Sequence, residues 1–406
     1  MTVAEANREA IGRVLASEPW LVGVRPAGEV VPAMRRELVL HAAPPAPYDE
    51  LAPVLQAGVL GAARFEGLEP SAVELAAAQD HAAMAGGAGS ITWSTPVVVL
   101  EDRSNGKQAF HFLMEGFGRV LILGMYDEEV AARLAWLRDE LAPALDAAVR
   151  ALGGIDCREL MAEALRRGDE LHNRNAAATS LLAERIAPAL EAGPEVRQRI
   201  FDFLRVNSQF FVAVSMAGTR LALDAGHGVE GSSLLTAVGA NGRDCGIKVS
   251  GLGERWFVAP AEVPEGVFLA GFGPDDAGPG CGDSLLVECA GLGASVLPAA
   301  PALWPLVGVD EARARRIYDE TVEIALGEHP HYRVPALGDR GAPTGIDVLR
   351  VLETGIRPVI DIVMLHREPG RGMIGFGLTS PPVACFEQAG AAFRERYGRQ
   401  RAAGGE

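Results

Sequence analysis

The sequence predicts a multi-domain chain that mixes helices with strands, and three observations carry that expectation. At 406 residues the chain exceeds what one hydrophobic core usually supports, so two or three domains are expected. An apolar fraction of 49% against 22% charged residues supplies the mass for such cores. The third observation is positional. Amphipathic helical spacing dominates residues 127–225, whereas the stretch from Gly226 to Gly293 holds sixteen glycines in sixty-eight residues and reads as short strands and turns. The expected division is an N-terminal α/β domain over 1–153, a helical domain over 154–225 and a Gly-rich α+β domain over 226–406.

The elements follow in order. Thr2 to Ala16 has helical spacing through Ala6, Ile11, Val14 and Leu15, and Pro19 ends it. Strand-like runs come at Leu21 to Val24 and at Glu37 to His41, the second broken by Pro44, Pro45 and Pro47. Asp49 is placed to cap a helix through Leu51, Val54 and Leu55. Pro70 to Ala85 reads as a helix with Ser71 as its cap, stopped by the GGAGS segment at Gly86 to Ser90. Asn105 and Gly106 sit between two apolar runs and signal a hairpin, and Phe117 to Tyr126 is a further strand candidate. From Asp127 a long helix shows Val130, Leu134, Leu137, Leu141, Leu145, Val149 and Leu152 on one face, ending at Gly153 and Gly154. Helices are also expected at Asp156 to Arg167 and at Asn175 to Ala189, while Pro194 to Ala225 is helical, apolar on most sides and therefore buried. Prolines 298, 301 and 305 forbid one long regular helix, Asp310 caps the next, and a strand from Val359 to Leu365 ends at His366. His329 and His331 flank Pro330 in a loop and are expected to be solvated.

Charge and motifs exclude several classes. A formal charge of −16, from 53 acidic against 37 basic residues, disfavours nucleic acid and anionic lipid, and an anionic substrate would need a local basic pocket. With no apolar run of about eighteen residues, no membrane span is expected. Five scattered cysteines without a CxxC pair, and no signal-like N-terminal segment, point to a reducing, cytoplasmic setting. No metal-ligand grouping, phosphate loop, G-x-S-x-G elbow or dinucleotide fingerprint is present, so neither metal nor cofactor is expected.

What remains is a set of donors among glycines. His172, Asn173, Arg174 and Asn175 stand together at a helix junction, where they suit an anion or a carboxamide, or form a cap with exposed neighbours. The Gly-rich centre brackets Ser232, Ser233, Asn241, Arg243, Lys248, Ser250, Asp283 and Glu288. The tail sets Arg340, Thr344, Asp347 and His366 among Gly and Pro. Glycine lets backbone approach a ligand, although the same glycines equally read as tight turns. Fixed cations and N–H groups stabilise an oxyanion or a leaving phosphate, which suits acyl or carbamoyl transfer between small anions. On this reading the candidate catalytic residues are His172, Arg174, Arg243 and His366. A histidine moves the proton, and the arginines with Arg340 hold carboxylate or phosphate. Asn173, Ser232, Ser233, Asn241, Lys248, Ser250, Asp283, Thr344 and Asp347 are candidate substrate contacts.

Five segments resemble the DUF1116 (YlbE-like) family of bacterial proteins: GDELHNRNAAATSLL from Gly168, the run from Gly228 to Ala261, GDSLLVECAGLG from Gly282, the run from Pro335 to Ile360, and HREPGRGMIGFG from His366. The likeness runs from about residue 20 to about residue 388. It implies an α+β fold with mixed sheets and a small central helical domain. It also implies a subunit of an oxamate carbamoyltransferase type, in which oxalurate and phosphate give oxamate and carbamoyl phosphate. Such members work with an FdrA-like partner subunit, so a hetero-oligomer is expected, with a homo-oligomer as the alternative. Another amide- or acyl-processing enzyme of nitrogen metabolism and a non-catalytic scaffold subunit remain the other readings.

Overall fold

Side-chain caps set the helix starts in the computed structural model, which describes residues 1–398. Thr2 accepts from the Glu5 N–H while Glu5 accepts from the Thr2 N–H, a capping box that opens helix Val3–Leu15. Asp127, Asp156 and Asp310 each accept from the N–H three residues on, opening Glu128–Trp136, Cys157–Arg166 and Glu311–Ile324. Glu128–Trp136 continues into Ala142–Ala151 through one wide π-type turn at Leu137–Leu141. Pro143 follows that turn, has no N–H to donate and crowds the preceding carbonyls. The extra residue in the turn absorbs the mismatch.

The architecture is α+β with mixed sheets. Strand Pro19–Pro26 lies between Pro96–Asp102 and Ile155–Asp156 in a five-stranded sheet that Gln108–Phe112 and Ala83–Met84 complete. The expected hairpin at Asn105 and Gly106 joins Pro96–Asp102 to Gln108–Phe112 in antiparallel register. In the Gly-rich centre, Leu235–Asn241 and Asp244–Val249 form a second hairpin, flanked by Phe257–Pro260 and Cys281–Gly282. Met373–Thr379 runs between Glu265–Phe268 and Ile360–Leu365 in a third sheet. Helix Val212–Ala225 is buried along almost its whole length, as its all-round apolar sequence requires. It packs on Pro96–Asp102, on Gln108–Phe112 and on the 3-10 turns Asp283–Ala290. One apolar cluster draws its residues from Ala6 through to Ala389. Among the described residues, no helix is long and apolar enough to cross a membrane.

Several expected elements differ. Pro70 to Ala85 is not a helix: Glu74–Ala77 pairs in parallel with Leu38–His41, and a 3-10 turn at Ala78–His81 leads into Ala83–Met84. Alanine-rich sequence carries helix propensity but no periodic apolar face, so strand pairing wins there. The helix expected at Asp49 begins instead at Pro53, with Tyr48–Glu50 a separate 3-10 turn. Pro194 to Ala225 is two helices, Pro194–Val206 and Val212–Ala225, and Asn207 at the break donates to the Met114 carbonyl. His329 is buried rather than solvated. Its ring stacks on Tyr332 at 3.8 Å and its Nδ1 accepts from the His331 and Tyr332 N–H groups.

The strand expected at Phe117 to Tyr126 is also absent, because its N–H groups are satisfied by a side chain instead of a neighbouring strand. Glu115 accepts from Leu121 at 2.9 Å and from Ile122 at 3.1 Å, curling Leu121–Leu123 into a 3-10 turn. Burial pushes the Glu115 carboxyl from 4.5 up to about 7 despite these donors. An acid whose folded pKa is raised contributes stability that is complete below its unfolded pKa and lost as the pH rises through the folded one, here about 3 kcal/mol. The margin between the native protein and Glu115→Gln in urea unfolding should therefore shrink by about that amount between pH 4 and pH 8. A constant margin would show that the Glu115 carboxyl titrates alike in the folded and unfolded chain.

Candidate active site

Helix Cys157–Arg166 gives way at Gly168 to a segment in which carboxylates organise the chain. Asp169 accepts from the Ala178 N–H at 2.9 Å and so caps helix Ala176–Ile186. Buried Glu170 accepts from the N–H groups of His172, Asn173 and Arg174, folding these residues into a tight turn around its carboxylate. Ser215 donates to the Leu171 carbonyl, Gln209 to that of Asn173 and Asn175 to that of His172, so the turn is held from outside as well.

This turn delivers His172 to two carboxylates from distant segments. Its Nδ1 lies 2.9 Å from Glu288 Oε1, on the 3-10 turns Asp283–Ala290, and 3.3 Å from Asp361 Oδ1, on strand Ile360–Leu365. Asn173 donates to Asp361 Oδ2 at 3.0 Å, and Glu288 Oε1 accepts from the Ala294 and Asp361 N–H groups at 3.2 Å each. Each carboxylate thus has one oxygen tied by N–H donors. The others, Glu288 Oε2 and Asp361 Oδ1, are buried without a hydrogen bond among the described residues, the 3.3 Å approach of Nδ1 lacking hydrogen-bond alignment. Gly293, at φ 57°, closes over this group, and a side chain there would run into Glu288 Oε1.

Burial opposes charge on His172, but Glu288 and Asp361 outweigh it and hold the imidazole well above its usual pKa. Burial also opposes charge on Asp361, yet His172, with the Glu288 carboxyl and the Asn173 carboxamide, pulls it down to about 2. Glu288 goes the other way, pushed by burial up to about 8, and burial with the Asp361 charge raises Glu170 well above the carboxylate range. His172, Glu288 and Asp361 each offer a donor atom within 4.8 Å of the others, a set able to hold a metal ion.

His172 and Asn173 form part of the wall of a pocket with about 90 Å³ open to the centres of water molecules. Gly86, Gly87, Met114, Ile122, Val212 and Leu365 supply much of the rest, with Gln209 and Ser284 as further polar groups. Among the described residues no arginine or lysine lines it.

The expected convergence of cations therefore does not occur at this pocket. Arg243 is exposed, pairing with Glu50 and Asp244, and Arg340 is exposed between Glu328 and Asp319 with its guanidinium over Tyr318. Arg174 turns back to the Gly168 carbonyl and Asp169. Each is drawn to the carboxylates nearest in its own region. Lys248 is buried but claimed by Asp80 and Glu254, under Trp256. His366 follows Leu365 of the pocket wall, yet its Nδ1 accepts from the Glu368 N–H and its Nε2 lies 3.7 Å from Asp276.

The remaining candidates satisfy backbone and neighbours elsewhere. Ser232, Ser233 and Asp347 form a buried network with Asn7 of the first helix: Asn7 Oδ1 accepts from Ser232 Oγ at 2.9 Å and Asn7 Nδ2 donates to Ser233 Oγ at 2.9 Å, while Ser233 Oγ donates to Asp347 at 2.7 Å. Asn241 ties its hairpin turn to the Pro44 carbonyl, Ser250 donates to the Gly226 carbonyl, and Thr344 donates to the Ala342 carbonyl. Asp283 gathers the N–H groups of Ala43 and Ala85 and the Gln79 carboxamide. Glu170, Asp361 and Gln209 were not among the sequence candidates, and Glu288 was grouped with the carboxylates without a site role. A signal existed for Asp361, a single acid inside the apolar run PVIDIVML, and for Glu170, two residues before His172.

The family model described as oxamate carbamoyltransferase subunit AllG matches residues 73–284, a span that includes Glu170 and His172. The chain is 37% identical to the oxamate carbamoyltransferase subunit AllG of Escherichia coli K12, over 98% of its own length and 99% of that protein. It is 38% identical to the uncharacterized protein YahG of the same strain, over 98% of its own length and 87% of that protein. A crystal structure of a conserved protein of unknown function from Enterococcus faecalis V583 shares the fold with a TM-score of 0.95 and 39% identity, covering 97% of this chain and 98% of that one. With a family match over half the chain and full-length identity of this order, the chain belongs to the oxamate carbamoyltransferase subunit AllG family.

Proposed function

We propose that this chain is a subunit of a carbamoyltransferase that acts on a small ureido or oxamate-type acid, with phosphate and carbamoyl phosphate as the other pair, and that it works with an FdrA-like partner subunit. The observation that carries the reading is the buried His172–Glu288–Asp361 cluster opening through His172 onto a pocket, in a chain of this family. In the transfer, a phosphate oxygen bonds to the carbamoyl carbon, the bond from that carbon to the amide nitrogen breaks, and the nitrogen leaves with a proton. Such a step gains most from fixed geometry and from charge placed where the oxyanion develops. The carboxamides of Asn173 and Gln209, both at the pocket, match the hydrogen-bonding pattern of a ureido group.

The test is carbamoyl phosphate formation from oxalurate and phosphate, with and without partner subunits. His172→Ala is expected to lower the rate about a hundredfold or more, the low end of what a positioned acid–base group supplies, with unchanged circular dichroism. Full activity in that variant would move the chemistry away from this pocket. A chain that reacts with oxalurate unaided would overturn the dependence on partners.

A further inference from the structure

We infer that His172, Glu288 and Asp361 form a binding site for one divalent transition-metal cation, Zn2+ or Mn2+, at the pocket wall. Four observations lead there. The donor set is one imidazole nitrogen and two carboxylates, the mixture that selects such ions over purely oxygen-bound Mg2+ or Ca2+. The spacing fits as well: Nδ1 stands 3.3 Å from Asp361 Oδ1, and the ligand atoms of the three residues all lie within 4.8 Å of one another. Two ligand atoms each about 2.1 Å from a shared ion lie roughly 3.0–3.4 Å apart.

The third observation is which oxygens are left over. Asn173 holds Asp361 Oδ2, and the Ala294 and Asp361 N–H groups hold Glu288 Oε1, as outer-shell donors fix metal-binding carboxylates. Glu288 Oε2 and Asp361 Oδ1 stay buried without a hydrogen bond among the described residues, a costly state that a cation would relieve. The fourth is charge. Glu170, Glu288 and Asp361 place three buried carboxyl groups around one imidazole, a concentration of acidic groups that one cation can hold together. The alternative that also relieves the orphaned oxygens is a proton shared between Glu288 and Asp361.

The inference meets the proposed reaction at one point, resting there on that reading: an anionic substrate enters a pocket without arginine or lysine, and the cation would supply the missing positive charge. The binding claim itself needs no substrate. Full-length protein would be analysed for bound metal as purified, stripped with a chelator, and titrated with Zn2+ and with Mn2+ by calorimetry. The expected result is one ion per chain and a melting temperature that rises on loading. Glu288→Gln and Asp361→Asn should each weaken binding at least tenfold, with circular dichroism confirming the fold. Should both variants fail to fold, the stoichiometry of the native chain decides. If the folded native chain takes up neither ion, or if both folded variants bind like the native chain, the site is overturned and the shared proton stands. Metal binding without carbamoyl transfer would refute the proposed reaction alone, and transfer by fully stripped protein would refute the catalytic use of the ion.

Discussion

Replacing Asp283 by alanine is expected to lower the stability of the folded chain by about 4 kcal/mol, because buried donors left without an acceptor cost about 1–3 kcal/mol each. The carboxylate accepts from Ala43 N at 2.9 Å, Gln79 Nε2 at 2.7 Å and Ala85 N at 2.8 Å, all buried. Those donors lie 240, 204 and 198 residues away in the chain, so the residue fastens the Gly-rich centre to the N-terminal part. Urea unfolding followed by circular dichroism measures the loss. A drop under about 1 kcal/mol would mean that the donors find other partners on relaxation.

Gly58→Ala is expected to cost about 3 kcal/mol, at the upper end of overpacking, although alanine is the better helix former by about 1 kcal/mol. Gly58 lies in helix Pro53–Glu66, and a methyl group there would overlap the Ala88 carbonyl oxygen. The Cβ position is set by the helix backbone and its partner is a backbone carbonyl, so no rotamer change relieves it. The control is Gly12→Ala in helix Val3–Leu15, where an added Cβ meets nothing within 4 Å and the propensity gain should show. Destabilisation at Gly58 and stabilisation at Gly12 together confirm the close approach, and a gain at both positions removes it. Ala88 neighbours Gly86 and Gly87 of the pocket, so Gly58→Ala should also perturb binding there.

What could be read from the sequence divides along a physical line. Helices with a side-chain cap and a one-sided apolar face, such as Glu311–Ile324 behind Asp310, were legible because both signals are local. The hairpin at Asn105 and Gly106 was legible for the same reason. Leu121–Leu123 was not, because its hydrogen bonds end on the side chain of Glu115 rather than on a strand. The HNRN segment lies between helices Cys157–Arg166 and Ala176–Ile186, and the structure brings His172 and Asn173 to the pocket wall. Their partners Glu288 and Asp361 lie 116 and 188 residues further along the chain, and no local pattern announces such a meeting. The arginines misled because a guanidinium in sequence looks free, whereas Glu50, Asp319 and Glu328 wait for it in the folded chain.

The Asn7 network bears on how the polypeptide reaches this state. Asn7 bonds to Ser233 and Asp347, 226 and 340 positions downstream, so the opening helix completes its polar contacts only after most of the polypeptide has been synthesised. Contacts of such separation close large loops and slow the search for the folded state.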